Sequence, residues 1–150
     1  MPGPPRESAP APAPGLPVCD PGGLTLTDAD TAFTEQAVQE LYTVRTAGPD
    51  CQLPAAYPSV QVVDAAGAPF PGVRQGGLDL PAPAGGVLTL SGGTSVSFYV
   101  ATLRDGPCVP ASSVVVTLAG TSAPVRTATD FQVCGGTLAV GPLQRLGDID

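Results

Sequence analysis

The sequence predicts an all-β protein, an antiparallel β-sandwich closed by two disulfides. Apolar residues recur at every second position in several short runs, clusters of Pro, Gly and Asp separate those runs, and four cysteines are spread along the chain. Short alternating strands with turn residues at nearly regular spacing are typical of sandwiches and barrels. The alternation turns one face of each strand to the core and the other to water.

The alternating runs define the expected strands in order. The clearest run is Val96, Phe98 and Val100, and comparable runs lie at 24–27, 59–62, 114–118 and 138–140. Turn-forming residues separate them at 48–50, 64–67, 85–86, 91–93 and 104–107. Glycine supplies positive φ, and proline and aspartate favour turns through fixed φ and local hydrogen bonds, so these clusters predict chain reversals.

Residues 31–45 fit two structures. Phe33, Ala37 and Leu41 recur at intervals of four, which favours an amphipathic helix with Asp28 or Asp30 as its N-cap. A strand would instead direct Val38, Tyr42 and Val44 inward, with the charged Glu40 on the same face. Periodicity alone does not separate the two.

The composition excludes nucleic-acid binding and disfavours catalysis by a serine or threonine nucleophile. The net charge is −7, and all six basic residues are arginines without a basic cluster, so the chain repels nucleic-acid phosphates. Histidine and lysine are absent, which removes the usual bases for a serine or threonine nucleophile. We therefore predict no catalytic residue, no enzymatic activity and no cofactor.

The cysteines predict the cellular compartment. Cys19, Cys51, Cys108 and Cys134 form no Cys-x-x-Cys pair and have no histidine beside them, which favours disulfides over a zinc site. Four cysteines allow three pairings, which the sequence does not distinguish. We expect sequential neighbours to pair, Cys19 with Cys51 and Cys108 with Cys134, in an oxidising environment outside the cytosol.

The chain divides into three expected segments. Residues 1–18 are rich in Pro and Ala and predict an extended stalk or linker, residues 19–145 the sandwich, and residues 146–150 an acidic tail. No apolar run is long enough to span a bilayer. A secreted protein, or one held on the outer face of the membrane by a lipid anchor upstream, is expected.

Two sets of residues are candidate sites. A Gly/Pro-rich loop near 74–86, with the Ala55–Pro58 corner and an exposed tyrosine, predicts a binding surface. Its residues are Tyr57, Arg74, Leu78, Asp79, Leu80 and Tyr99. Asp28 and Asp30 offer oxygen ligands at alternate positions and are weak candidates for calcium, although the glycine of an EF-hand loop is replaced by Phe33.

The order of several short motifs between residues 41 and 143 resembles a known family. The motifs are Cys51-Gln52-Leu53, Tyr57-Pro58-Ser59-Val60, Asp64-Ala65-Ala66-Gly67, Leu90-Ser91-Gly92-Gly93, Cys108-Val109-Pro110, Val133-Cys134 and Val140-Gly141-Pro142-Leu143. Together with the early Cys19, they resemble the actinobacterial secreted proteins and lipoproteins called domain of unknown function 4232. The chain departs from the family pattern at Thr46, Ala56 and Gly92.

The resemblance implies an immunoglobulin-like sandwich outside the membrane and favours a strand over a helix for residues 33–46. It implies no activity. We therefore expect a monomeric, non-catalytic binding or structural module of the cell envelope whose partner is a protein or an envelope polymer. The alternative is a module that binds calcium or a small ligand through Asp28 and Asp30, and an unrecognised hydrolase is a remote third.

Overall fold

The structure of the chain is a computed structural model that describes residues 16–145. Within that range it contains one 3-10 turn at Pro21–Gly23, no α-helix and eleven strands. They are β1 (Leu24–Phe33), β2 (Ala37–Thr46), β3 (Cys51–Pro54), β4 (Ser59–Asp64), β5 (Val73–Gln75), β6 (Val87–Leu90), β7 (Ser95–Leu103), β8 (Cys108–Thr117), β9 (Val125–Ala128), β10 (Gln132–Cys134) and β11 (Leu138–Val140). The predicted all-β fold is confirmed.

Two sheets form the sandwich. The larger has the order β1-β2-β7-β11-β5, and all its neighbours are antiparallel except the parallel pair β11–β5. The smaller is centred on β8, with β4 along one side and β9 and then β10 along the other. The short strands β3 and β6 form a separate pair.

The hydrophobic core lies between the two sheets. Val96, Phe98 and Val100 are fully buried, as the alternation of β7 predicts. The ring of Phe98 stacks on that of Tyr42 from β2, with 5.6 Å between the ring centroids. The smaller sheet closes the core with aliphatic side chains, chiefly Val62, Val114 and Val116. Burial of this aliphatic surface is the main term that stabilises the domain.

Residues 31–45 form the end of β1, a turn and most of β2, so the strand prediction is confirmed and the helix is wrong. The hairpin closes where the Thr34 amide donates to the Ala37 carbonyl at 2.9 Å. Tyr42 and Val44 point into the core, as expected for a strand, and Glu40 shares their face and is buried. Pairing of β2 with β7 from Ala37 to Arg45 outweighs the helical spacing of the apolar residues.

Both predicted disulfides are confirmed. Cys19 bonds to Cys51 at the start of β3, and Cys108 bonds to Cys134 across the directly opposed ends of β8 and β10. The first bond ties the N-terminal side of the domain to β3. The second joins the first residue of β8 to the last residue of β10 in the smaller sheet. Disulfides of this kind are typical of proteins in an oxidising, extracytoplasmic environment.

The N-terminal boundary of the fold involves residues just before Cys19. The Pro17 carbonyl accepts the amide of Gln52, and Val18 forms an isolated bridge to the same residue. Most of the predicted stalk, at 1–15, and the predicted tail, at 146–150, lie outside the described residues. In the part of the chain that is described, no helix has the length and apolarity that a membrane span requires.

Candidate functional site

The predicted binding loop folds back onto the outer face of the larger sheet. The Gln39 side-chain amide donates a 2.9 Å hydrogen bond to the Leu78 carbonyl. Asp79 accepts a 2.6 Å hydrogen bond from the Thr34 hydroxyl and a 2.9 Å hydrogen bond from the Gln36 amide. The Leu78 side chain is only 8% exposed and covers three small residues. Those residues are Ala37, Ala101 and Ala139.

The backbone of this loop is unusual because four consecutive residues have positive φ. The angles are 79° and 89° at Gly76 and Gly77, and 52° and 65° at Leu78 and Asp79. Glycine adopts this region readily, whereas leucine and aspartate do so at a cost. Such residues persist where surrounding contacts determine their conformation, which the contacts of Leu78 and Asp79 do here. The hydrogen bond from Thr34, followed by that from Gln36, lowers the pKa of Asp79.

The other predicted surface residues lie around the same loop. Tyr57 is half-buried against the core, with its hydroxyl beside the loop backbone. Leu80 and the backbone carbonyl of Tyr99 both adjoin Gly141, and Arg74 is exposed in β5. Tyr99, expected to be exposed, is instead half-buried. The structure thus groups the predicted residues, but it uses Leu78 and Asp79 for contacts within the domain.

A second feature is an acid-lined opening between β1 and the chain that follows β9. One carboxylate oxygen from each of Asp28, Glu40 and Asp130 lies within 4.8 Å of the other two. The opening has a volume of about 570 Å³. It is lined by Asp28, Ala29, Asp30, Thr31, Glu40, Ala128, Thr129 and Asp130.

A β-bulge in β1 decides which acids meet in this opening. The register shifts between Asp28 and Asp30, so Asp28 pairs with Tyr42 of β2 and Asp30 with Leu41. Paired residues in an antiparallel sheet share a face, so Asp28 lies on the inner face with Tyr42 and Asp30 on the outer face with Leu41. The two predicted ligands therefore do not form one site: Asp28 joins Glu40 and Asp130, whereas Asp30 lines the opening without belonging to that group of three acids.

A chain of hydrogen bonds connects the opening to the core. The Thr129 hydroxyl donates to the Asp28 carboxylate at 2.6 Å, and it lies 2.8 Å from the Tyr42 hydroxyl. Since a hydroxyl carries one proton, Tyr42 must be the donor to Thr129. These hydrogen bonds give the buried Tyr42 hydroxyl a partner and join the two sheets at their edge. Burial also raises the pKa of Tyr42, so it remains a neutral donor.

Glu40 is the most unusual acid of the group because its side chain is only 4% exposed. Burial raises the pKa of Glu40 to about 8, and its hydrogen bond with Asp28 acts in the same direction. The negative charges of Asp28 and Asp130 raise it further, whereas the hydrogen bond from Thr31 opposes the shift. Glu40 is thus protonated at neutral pH and donates its proton to Asp28, while its Oε1 accepts the Thr31 hydroxyl at 2.6 Å.

Asp28, Glu40 and Asp130 are the described residues that could hold a cation. Calcium takes six to eight oxygen ligands, and it binds best to ionised carboxylates. Since Glu40 keeps its proton at neutral pH, the three acids offer less negative charge than three ionised carboxylates would. A protonated Glu40 hydrogen-bonded to Asp28 therefore fits this arrangement at neutral pH better than a metal site does.

A carboxyl group with a raised pKa beside a second acid is also a pattern of glycoside hydrolases. In those enzymes the two carboxyls lie on either side of the substrate bond, whereas here Asp28 and Glu40 share a hydrogen bond. Glu40 is buried, and the lining of the opening contains no aromatic ring on which a sugar could stack. The arrangement favours a structural role for this pair.

The free side of β1 lies along the same opening. Within residues 16–145, β1 pairs with β2 alone, so one side of this ten-residue strand forms no hydrogen-bonded ladder with another strand. Hydrogen-bonded pairs alternate along an antiparallel ladder, and the Thr34–Ala37 pair fixes their phase. The Ala32 amide therefore faces β2, and the amides of Thr31 and Phe33 face outward. The outward Thr31 amide instead donates to the Asp30 carboxylate at 2.8 Å.

The end of this free edge carries an exposed aromatic residue. Phe33 is 67% exposed, and the Arg104 guanidinium lies 5.9 Å from the centre of its ring. Arg104 also donates a 2.9 Å hydrogen bond to the Thr34 carbonyl. These contacts hold the turn between β1 and β2 in place.

No protein-family model, no curated protein and no solved structure matches this chain. The family resemblance therefore stays a prediction, and the candidate site rests on the geometry described above.

Proposed function

We propose that this protein is a non-catalytic, extracytoplasmic binding module of the cell envelope that receives an extended segment of a partner protein along β1. The observation that carries the proposal is the free side of this ten-residue edge strand. Such an edge presents unpaired backbone donors and acceptors, and many binding domains accept a partner by adding its strand there.

The other sheet edges support this choice because they are shorter or covered. At the opposite edge of the larger sheet, β5 has only three residues. Part of β4 is covered by the segment that follows it, since the Phe70 amide donates to the Val62 carbonyl and the Asp64 amide to the Ala68 carbonyl. The third edge consists of β9 and β10, with four and three residues, separated by an irregular stretch.

The disulfides and the composition support the extracytoplasmic part of the proposal. Two disulfides favour an oxidising compartment. The Pro/Ala-rich sequence before the domain is suited to a spacer that holds the module away from a surface. In this proposal the module is a monomer attached to the envelope through a lipid anchor, as the resemblance to the lipoprotein family implies.

The chemistry of the side chains supports a non-catalytic role. The chain has no histidine or lysine to act as a base. The acid with a raised pKa, Glu40, is buried and already hydrogen-bonded to Thr31 and Asp28. A group so enclosed cannot reach a proton on a substrate without disruption of the edge.

The proposal is tested by site-specific photo-crosslinking in the source cells. A crosslinking amino acid is placed at Thr31, on the free edge, and at Ser122, an exposed turn residue, as the matched control. We expect one partner protein to be attached from position 31 and not from 122, and the purified partner to bind in a 1:1 ratio by calorimetry. Equal attachment from both positions, or none from position 31, would refute the proposal.

A further inference from the structure

We infer that the segment received by β1 is an extended basic peptide that places a lysine or arginine side chain in the acid-lined opening. The inference rests on the proposed function and specifies the chemistry of the partner. Two independent observations meet at this place. Residues 28–31 belong to the strand with the free edge, and the same residues form one wall of the opening.

The opening has the charge that a basic side chain requires. Four of its lining residues are acids and none is basic. Asp30 and Asp130 are exposed, so both can reach a partner without rearrangement of the sheet. A strand added at the β1 edge alternates its side chains between two faces, and those on the inner face would lie beside this opening. The net charge of −7 adds a long-range attraction for a basic partner.

A second copy of this chain fits the same edge poorly. In a symmetric pairing of two β1 strands, the carboxylates of Asp28 and Asp30 from each copy would approach one another. Like charges on neighbouring strands destabilise a sheet, and acidic edges with bulges are a known protection against association between identical chains. The chain has no lysine with which to neutralise the acids. The edge therefore disfavours its own copy and favours a basic strand.

The backbone contacts define a residue-level readout. An added strand would accept the outward Phe33 amide directly and would replace the Asp30 carboxylate as the acceptor of the Thr31 amide, whereas the Ala32 amide already faces β2. The probe is a ten-residue capped peptide in which lysine alternates with threonine and valine, and its control has glutamate in place of each lysine. We expect the lysine peptide to slow hydrogen exchange at Thr31 and Phe33 at least about tenfold while that at Ala32 is unchanged. The glutamate peptide should not bind.

The charge requirement is tested with matched variants. Asp30→Asn combined with Asp130→Asn removes two exposed charges and keeps the side-chain shape, and should weaken binding of the lysine peptide about fivefold. Asp50→Asn removes one exposed charge outside the opening and should leave binding unchanged. The urea midpoint of each variant checks that the fold is intact.

The outcomes separate this inference from the proposed function. Binding of the lysine peptide without slower exchange at Thr31 and Phe33 would refute strand addition. Equal affinity for the lysine and glutamate peptides would refute selection by charge. If neither peptide binds while crosslinking from position 31 still captures one partner, the basic-peptide inference is wrong and the proposed function stands. If crosslinking fails as well, both are wrong.

Discussion

The Thr129 hydroxyl donates a 2.6 Å hydrogen bond to the Asp28 carboxylate and so connects the two sheets of the sandwich at the edge formed by β1 and β9. Its own oxygen lies 2.8 Å from the Tyr42 hydroxyl, which is fully buried. One threonine therefore satisfies a buried phenol and fixes an acid of the candidate site. The stability of the edge and the arrangement of its acids depend on the same bonds.

Replacement of Thr129 by valine tests this link. Thr129→Val keeps the side-chain shape, leaves the Tyr42 hydroxyl without its acceptor and removes a donor from Asp28. We expect the free energy of unfolding to fall by about 1–3 kcal/mol, the usual effect when a buried polar group loses its partner. Urea denaturation measures the change.

The matched control for this variant is Thr27→Val, since Thr27 lies in β1 and is exposed. That change should alter the free energy of unfolding by less than about 0.5 kcal/mol. A double-mutant cycle with Tyr42→Phe should show coupling between Tyr42 and Thr129. Additive effects of the two substitutions would contradict the hydrogen-bond chain.

The pH dependence of stability tests the protonation of Glu40. Its pKa is raised from 4.5 to about 8, so the folded protein holds this proton more tightly than the unfolded chain does. The stability that the proton contributes is full below pH 4.5 and is lost as pH rises towards 8. Glu40→Gln keeps a neutral hydrogen-bonding side chain. We expect it to flatten this part of the pH profile in urea denaturation from pH 5 to 9.

The control for the pH experiment is Glu35→Gln, because Glu35 is exposed in the β1–β2 turn. This variant should keep the wild-type loss of stability between pH 5 and 8. If Glu40→Gln keeps the same slope, Glu40 is ionised in the folded protein and its assignment as a protonated donor to Asp28 is wrong.

The fold was largely predictable because its determinants are local or covalent. The alternation at Val96, Phe98 and Val100 assigns inner and outer faces without knowledge of the partner strands. The cysteines pair in the order in which they occur in the sequence, so each disulfide joins two neighbouring parts of the chain. Residues 31–45 were harder, since their apolar residues fit two periods and only the pairing of β2 with β7 decides between them.

The candidate site was less predictable because it depends on contacts between distant residues. The prediction placed Asp28 and Asp30 together, but no pattern indicates the bulge that separates them. Glu40 was visible as a charge on the inner face of a strand, yet the partners that make its burial tolerable belong to other elements. Asp130 is far away in sequence and lies at an interruption between β9 and β10. An acidic residue at an inward position of a strand, as Glu40 is in β2, is the local indication of such a site.

Removal of either disulfide should destabilise the domain strongly. The bonds close loops with sequence separations of 32 and 26 residues. Restriction of the unfolded chain by loops of this size corresponds to about 3–4 kcal/mol for each bond. The variant pairs are Cys19→Ala with Cys51→Ala, and Cys108→Ser with Cys134→Ala. Calorimetry should show a lower Tm for both.

The native protein provides the complementary test of the disulfides. Mass spectrometry of material isolated without reductant should show two intact bonds with the pairing Cys19–Cys51 and Cys108–Cys134. Four free thiols in that material would contradict the extracytoplasmic location.

Calcium should have little effect on the stability of this domain at neutral pH. The proton that Glu40 keeps at neutral pH reduces the charge that the acids offer to a cation. We expect the same Tm within about 1 °C in calcium and in EDTA, because a ligand that binds only weakly adds little to the free energy of unfolding. A rise of several degrees in calcium that Asp130→Asn abolishes would show a metal site at this opening. Asp50→Asn is the control for that loss.

Leu78 tests whether the loop at 76–80 serves the fold or a partner. Its side chain is buried over Ala37 and Ala101, so Leu78→Ala should lower the free energy of unfolding by about 2–3 kcal/mol. Leu80→Ala, at a half-buried position of the same loop, should cost less. Crosslinking of the partner from Thr31 should survive both changes at a temperature where each variant is folded. A Leu78→Ala protein of unchanged stability that no longer captures the partner would instead assign this loop to the binding surface, because only a side chain that contacts the partner would show that combination.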